Sequence, residues 1–301
     1  MKSVLAIDGG GMRGIIPATV LSYVEEKTGK PVGQVFDYIC GSSTGGLVAL
    51  AMAKENPPSA KALLDVYQDS GPKIFSSSIT WKVRNLGQLA GPKYNNAELF
   101  KATQGILGEQ KMSQAATPCM VTTYDLSTRQ TTFISSYNTP DDMMMTDAAM
   151  MTTAGPTYFA PWKNCIDGGT VDNNPALSGS IEASRLFNCS VEDLLVLSLG
   201  TGSSAQPYDG KAAAGWGLLS WATPLVSIFS DGTSDLHEYH LNRLLPIDNI
   251  LRLQTILCGD MADMDNATGQ NIALLQERGR SVVAENKDCL DAFIERLMKK
   301  S

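Results

Sequence analysis

Two short strands, each running into a glycine turn and then straight into a helix, constrain this chain more than any other feature. The first is Val4–Gly14, VLAIDGGGMRG, followed by IIPATVLSYVEEKTG; the second is Val35–Cys40, VFDYIC, the approach to and body of a strand, followed by GSSTGGLVALAMAK. A strand that turns tightly into a helix packs that helix back on its own sheet, so a repeat of the unit predicts a parallel sheet with helices on its faces. Within the first helix Ile16, Val20, Leu21 and Val24 fall at helical spacing, with Pro17 in the first turn and Gly29 after the last. Downstream, SAKALLDVYQ and NAELFKATQGIL read as amphipathic helices and PCMVTTYDL and RQTTFISS as neighbouring strands. LLVLSLGTG reads as a buried strand ending in a glycine turn, and Asn271 to Lys300 as helical. No repeat or low-complexity linker divides the 301 residues, which predicts one continuous α/β domain over 1–301.

Composition narrows the function classes. Apolar residues make up 43% of the chain and charged ones 18%, enough to bury a sizeable core. A net charge of −7 argues against a grip on a nucleic-acid polymer or a polybasic membrane tether, although it leaves room for a local basic patch. Six cysteines, at 40, 119, 165, 189, 258 and 289, stand singly with no C-x-x-C pair and no histidine cluster, which gives no zinc site and predicts reduced, buried thiols. With no signal peptide read before the first strand, the expected location is cytoplasmic. The stretch Ala212–Ser230, AAAGWGLLSWATPLVSIFS, carries no charge, yet Gly215, Gly217 and Pro224 interrupt it. It reads as a buried or interfacial segment rather than a membrane span.

Gly9, Gly11 and Gly14 satisfy the G-x-G-x-x-G spacing of a dinucleotide turn. An NAD(P)-dependent oxidoreductase also needs an acidic residue at the end of the second strand, about 20 residues beyond the glycines. Glu25 and Glu26 fall inside the first helix and the second strand ends in Gly41 and Ser42, so that reading fails. The second turn, Gly41-Ser42-Ser43-Thr44-Gly45, matches the G-x-S-x-G nucleophile elbow, in which small residues let the backbone bend sharply and expose a serine hydroxyl. A serine hydroxyl needs a base. The chain has two histidines, and the order Ser43, Asp167, His237 formally satisfies a hydrolase triad, with His240 close by. Against it, only one strand precedes the elbow, and DLHEYHLNRLL places both histidines in a helix-like run where polar surface positions are expected.

Three loops together resemble the patatin-like phospholipases, lipid acyl hydrolases that use a serine and an aspartate without histidine. Asp8–Gly14, DGGGMRG, is similar to the family's D-G-G-G-x-R-G loop, Gly41–Gly46 to its elbow, and Asp167–Gly169 to its D-G-G motif, with TTAGPTYFAP, DNNPA and LSLGTG also alike. The resemblance implies a three-layer domain with a central, mostly parallel sheet flanked by helices. It implies Ser43 as nucleophile, Asp167 as base, and the amides of Gly9, Gly10 and Gly11 as an oxyanion hole. Gly41, Gly45, Gly168 and Gly169 are the matching motif glycines. Arg13 matches the family arginine and can stabilise an oxyanion or a lipid phosphate; alternatively it pairs with Asp8 or Asp37. Such a site implies no metal and no organic cofactor, and a membrane glycerophospholipid as substrate. Bacterial relatives include phospholipases switched on by cyclic nucleotides in antiviral defence, so a cyclic-nucleotide activator is a second reading, without a binding motif to support it.

Three further features carry expectations. An aspartate acting as base at neutral pH must be raised from its ordinary pKa of roughly 4 by burial. Met143, Met144, Met145, Met150 and Met151 read as core filler or as a pliable wall for acyl chains. Trp216 and Trp221 suit a lipid–water boundary, so 212–230 is expected to meet a membrane surface or to cover the site.

Overall fold

In this computed structural model, residues 1–78, 81, 85, 91–140, 143–204 and 206–299 are described. The strands are β1 (Lys2–Ile7), β2 (Tyr38–Ser42), β3 (Cys119–Asp125), β4 (Gln130–Ser135), β5 (Cys165–Asp167), β6 (Leu194–Leu199), β7 (Ser203–Ser204), β8 (Ile250–Leu253) and β9 (Ile256–Leu257). The main sheet has the order β4-β3-β2-β1-β6-β8, with β5 paired to β3, and β7 and β9 form a small second sheet. All neighbours along that order are parallel except β3 and β4. Every residue of β2 and β6 is buried, as expected where a parallel sheet is covered on both faces.

Alternation along the strands sorts the core into two layers. Leu5, Ile7, Ile39, Leu195 and Leu197 face a large cluster supplied by α1 (Ile15–Thr28), α2 (Thr44–Ala53), α3 (Ala60–Ile74), α4 (Asn96–Leu107) and α5 (Met145–Thr152). Val4, Ala6, Tyr38, Cys40 and Val196 face the other way, against α6 (Ala176–Phe187) and α7 (Leu218–Leu244). Helices α8 (Gly269–Glu285) and α9 (Lys287–Lys299) add Ile272, Leu275, Phe293 and Leu297 to the first layer. The expected α/β fold, a mostly parallel sheet flanked by helices, is the one observed. The expected helical tail is two helices meeting near Asn286, with Lys300 outside the described residues. Val35–Cys40 holds, as expected, both an approach and a strand: Val35 closes the helical turn Val32–Val35, and β2 begins at Tyr38.

The position of β5 creates the site. Along β3, the strand β4 takes one flank, while β2 and β5 share the other: β2 pairs with Cys119–Thr122 and β5, running antiparallel, with Thr123–Asp125. The two strands therefore point at each other end to end, Ser42 opposite Thr122 and Asp167 opposite Thr123. Whatever follows β2 must meet the end of β5.

Among the described residues, no helix is long and apolar enough to cross a membrane. The uncharged stretch 212–230 ends a short turn, Gly210–Ala213, and then enters α7, with Pro224 inside the helix. All six cysteines are free thiols; Cys40, Cys119 and Cys165 are buried, but Cys258 and Cys289 are exposed, which corrects the expectation that all would be buried.

Candidate active site

Ser43 follows β2 directly and precedes α2 with φ 51° and ψ −124°, a conformation that L residues other than glycine seldom adopt. Small neighbours make the bend possible. A methyl group on Gly45 would stand 2.3 Å from the Ile7 carbonyl oxygen, and one on Gly41 would stand 2.1 Å from that of Gly45. The amide of Ser43 donates to Thr152 Oγ1 at 2.9 Å, which ties the elbow to the end of α5. Its hydroxyl then points along β3 toward β5 and donates to Asp167 Oδ2 at 2.6 Å.

Asp167 is 9% exposed, and its other oxygen, Oδ1, accepts the Gly169 amide at 2.7 Å. Burial pushes its carboxyl up to about 6, against the lowering effect of the hydrogen bonds from Ser43 and Gly169. Gly168 fits against Thr122 of β3, where a side chain would strike the Thr122 hydroxyl.

The opening glycine loop lies beside this pair. A methyl on Gly9 would stand 3.1 Å from Ser43 Cβ and 2.4 Å from Asn173 Oδ1, so the loop and the elbow are in close approach. The Gly9 amide donates to the Asn173 carbonyl at 3.1 Å, whereas the amides of Gly10 and Gly11 have no acceptor among the described residues. The array of unengaged amides thus narrows from three to two. Thr201, after β6, donates its hydroxyl to the Gly9 carbonyl at 2.5 Å and fixes the loop from the other side.

Arg13 does not pair with Asp8 or Asp37. Asp37 takes Lys2 and the Ser3 hydroxyl, and Asp8 is held by both terminal nitrogens of Arg252, at 2.8 and 2.6 Å. Arg13 instead donates Nε to the Gly10 carbonyl at 3.3 Å and makes no ion pair among the described residues. Burial lowers its pKa, with Asp231 the main opposing charge.

These groups line a cavity of about 650 Å³. Gly10, Gly11, Arg13, Ser43, Asp167 and Asn173 are among its lining residues, and Leu47, Leu63, Val66, Ile74, Leu99 and Phe159, largely from α3 and α4, supply much of its apolar wall. A mostly apolar cavity that also carries polar groups suits an amphiphilic ligand. None of Met143, Met144, Met145, Met150 and Met151 lines it; Met145, Met150 and Met151 are buried in the core, so the filler reading holds and the acyl-wall reading does not. Neither histidine lines it either. His237 Nδ1 lies 2.9 Å from Asp172 Oδ1, a pairing that raises the imidazole pKa, and His240 is exposed. The chain order Ser43, Asp167, His237 is therefore not a spatial triad.

Sequence reasoning did not single out Thr152, Asn173, Thr201 and Arg252. The first three lie within the stretches TTAG, DNNPA and LGTG already noted beside the motifs, while Arg252 had no signal.

The fold is a mostly parallel sheet flanked by helices, and it brings Ser43 and Asp167 together on a mostly apolar cavity. The model of the family described as patatin-like phospholipase matches residues 5–179. Patatin-like protein 2 of Arabidopsis thaliana is 34% identical over 333 residues, covering 93% of this chain and 82% of its own, and the probable inactive patatin-3-Kuras 1 of Solanum tuberosum is 31% identical, covering 99% and 92%. The crystal structure of VipD from Legionella pneumophila aligns with a TM-score of 0.47 at 15% identity, over 97% of this chain and 67% of that one. The chain belongs to the patatin-like phospholipase family. Membership implies hydrolase activity on lipid esters.

Proposed function

We propose that the protein hydrolyses fatty acyl esters of membrane glycerophospholipids through an acyl-enzyme on Ser43, with Asp167 as the sole side-chain base. The observation that carries this reading is the 2.6 Å hydrogen bond from Ser43 Oγ to a buried carboxylate, both lining a mostly apolar cavity. As Ser43 Oγ attacks the ester carbonyl, Asp167 accepts its proton, and the carbonyl oxygen becomes an oxyanion. The free amides of Gly10 and Gly11 donate to that oxygen, with Arg13 adding positive charge beside it. Gly9, whose amide is engaged by Asn173, holds the loop in place. On collapse the proton passes from Asp167 to the departing alkoxide of the lysophospholipid, leaving the acyl chain esterified to Ser43. Water then attacks the acyl-enzyme, giving a proton to Asp167, and the fatty acid leaves as Ser43 regains its hydrogen.

Access to a membrane is assigned to α7 and the segment before it. Leu218, Leu225, Phe229 and Leu236 recur at i, i+7, i+11 and i+18, which places them on one stripe of the helix, and all are exposed. Val226, Ser227, Ser230 and Asp231 of the same helix line the cavity. Trp216 packs edge-on against Tyr208 and against Trp221 near the start of the helix, an aromatic group beside the first residues of the stripe. A lipid surface that takes the stripe brings its esters to the mouth of the recess.

The test compares Ser43→Ala, Asp167→Asn and the double variant His237→Ala/His240→Ala on a soluble short-chain ester and on phospholipid vesicles. Ser43→Ala and Asp167→Asn each lower kcat/KM by about a thousandfold or more, and the histidine variant keeps the wild-type rate on the ester. Loss of ester hydrolysis in the histidine variant with Asp167→Asn active overturns the dyad. Running the vesicle assay with and without cyclic dinucleotides tests the switched reading, which equal rates in both arms exclude.

A further inference from the structure

We propose that a groove between α3 and α4, behind the apolar wall of the catalytic cavity, binds the carboxylate of a free long-chain fatty acid. The groove encloses about 500 Å³. Leu63, Val66, Ala102 and Ile106 line both it and the catalytic cavity, so the partition between them is one side chain thick. Its rim carries Lys54, Lys73 and Lys101 against a single acid, Glu98. Lys54 is fixed by donating Nζ to the Ile106 carbonyl at 2.9 Å. The ammonium groups of Lys73 and Lys101 make no ion pair among the described residues, and both side chains are exposed.

In a chain of net charge −7, three lysines around one apolar groove are a local reversal of sign that concentrates anions. Apolar walls with a cationic rim complement an amphiphilic anion, and the walls are those that the acyl chain of the substrate also uses. A fatty acid seated here presses on the back of Leu63, Val66 and Ile106, which makes the groove a place where product restrains further turnover. The source of the ligand rests on the hydrolase reading; the binding itself does not.

Oleate titrated calorimetrically into the Ser43→Ala protein, and into the same protein carrying Lys73→Glu/Lys101→Glu or Gly105→Met, tests the proposal. Gly105 lines only the groove, and nothing lies within 4 Å of the place where its Cβ would go, so the methionine fills the groove without disturbing the fold. Oleate affinity falls about tenfold in the lysine variant, as two exposed charge reversals allow, and falls again with Gly105→Met. Methyl oleate binds more weakly than oleate and is indifferent to the lysines. With Ser43 restored, the lysine variant keeps its rate on a short-chain ester and loses inhibition by added oleate. Unchanged oleate affinity in the lysine variant overturns the proposal, since oleate in the catalytic cavity does not depend on Lys73 or Lys101. Loss of binding to anionic vesicles with oleate affinity retained makes the groove a membrane contact and also overturns it. Failure of the hydrolase reading shows separately, as ester hydrolysis surviving Ser43→Ala.

Discussion

Asp167 carries two opposed demands at the scale of one residue. As the proposed base it must be ionised, yet burial holds its folded-state pKa at about 6 where the ordinary value is 3.8. The folded protein therefore binds this proton more tightly than the unfolded chain does. Its contribution to stability is full at low pH, declines as pH rises from about 4 to about 6, and is absent above. At neutral pH the buried carboxylate lowers stability by up to about 3 kcal/mol. Asp167→Asn removes that penalty while removing the base. The variant is expected to melt roughly 5 °C higher than wild type at pH 7.5, with the gap closing toward pH 4, in paired thermal scans. Lower stability of the variant at pH 7.5 would show that the carboxylate's hydrogen bonds outweigh its burial. On the proposed mechanism the same group sets the rate: kcat/KM on a soluble ester should rise to a plateau through an apparent pKa near 6 and then stay level, because neither histidine lines the cavity. A second, acidic limb traced to His237 by its loss in His237→Ala would contradict this.

At the scale of elements, the catalytic loop is held by a pair that joins two strands. Asp8 follows β1 directly and Arg252 lies in β8, with β6 between the two strands; Arg252 reaches across it, donating to Ser198 Oγ at 2.8 Å on the way to Asp8. Replacing Arg252 with Met leaves the Asp8 carboxylate buried and unpaired, a loss of about 3–5 kcal/mol in denaturant unfolding. Adding Asp8→Asn to Arg252→Met should recover most of that stability but not the activity, since the loop carrying Gly10 and Gly11 loses its anchor. Full stability of Arg252→Met alone would mean that the pair is dispensable.

The pair also marks the limit of what the sequence displays. The turns at Gly9–Gly14 and Gly41–Gly46 are local: the glycines, the strand before and the helix after sit in one window, so periodicity and turn chemistry expose them. The strand β5 is three residues long and β8 reads ILRL, too short for alternation to register, and both matter only through pairings made far along the chain. Asp167 is legible as a motif, but its meeting with Ser43 is legible only through the family resemblance and not from local pattern, because that meeting depends on β2 and β5 sharing one flank of β3. Arg252 lies 244 positions from Asp8 and carries no local sign of its role. Conversely, His237 looked chemical in sequence, and in space it serves Asp172.

For the whole molecule, the cavity and the exposed stripe of α7 are two faces of one helix, and this separates chemistry from access. Leu218, Leu225 and Phe229 are 93%, 38% and 56% exposed, whereas Asp231 and Ser230 point into the recess. Apolar side chains left in water gain free energy at a lipid surface in proportion to the area they bury, about 25 cal/mol per Å². Changing Leu218, Leu225 and Phe229 together to serine removes that gain and touches none of Ser43, Asp167 or the glycine loop. Hydrolysis of phosphatidylcholine vesicles should then fall by at least about tenfold while kcat/KM on a soluble short-chain ester stays within experimental scatter. Because the driving force is apolar, raising the salt concentration should leave the wild-type vesicle rate unchanged, in contrast to binding through lysines, which salt screens. Equal losses on vesicles and on the soluble ester would place the stripe in the packing of the site. A wild-type vesicle rate that collapses with salt would move membrane contact from α7 to a charged surface.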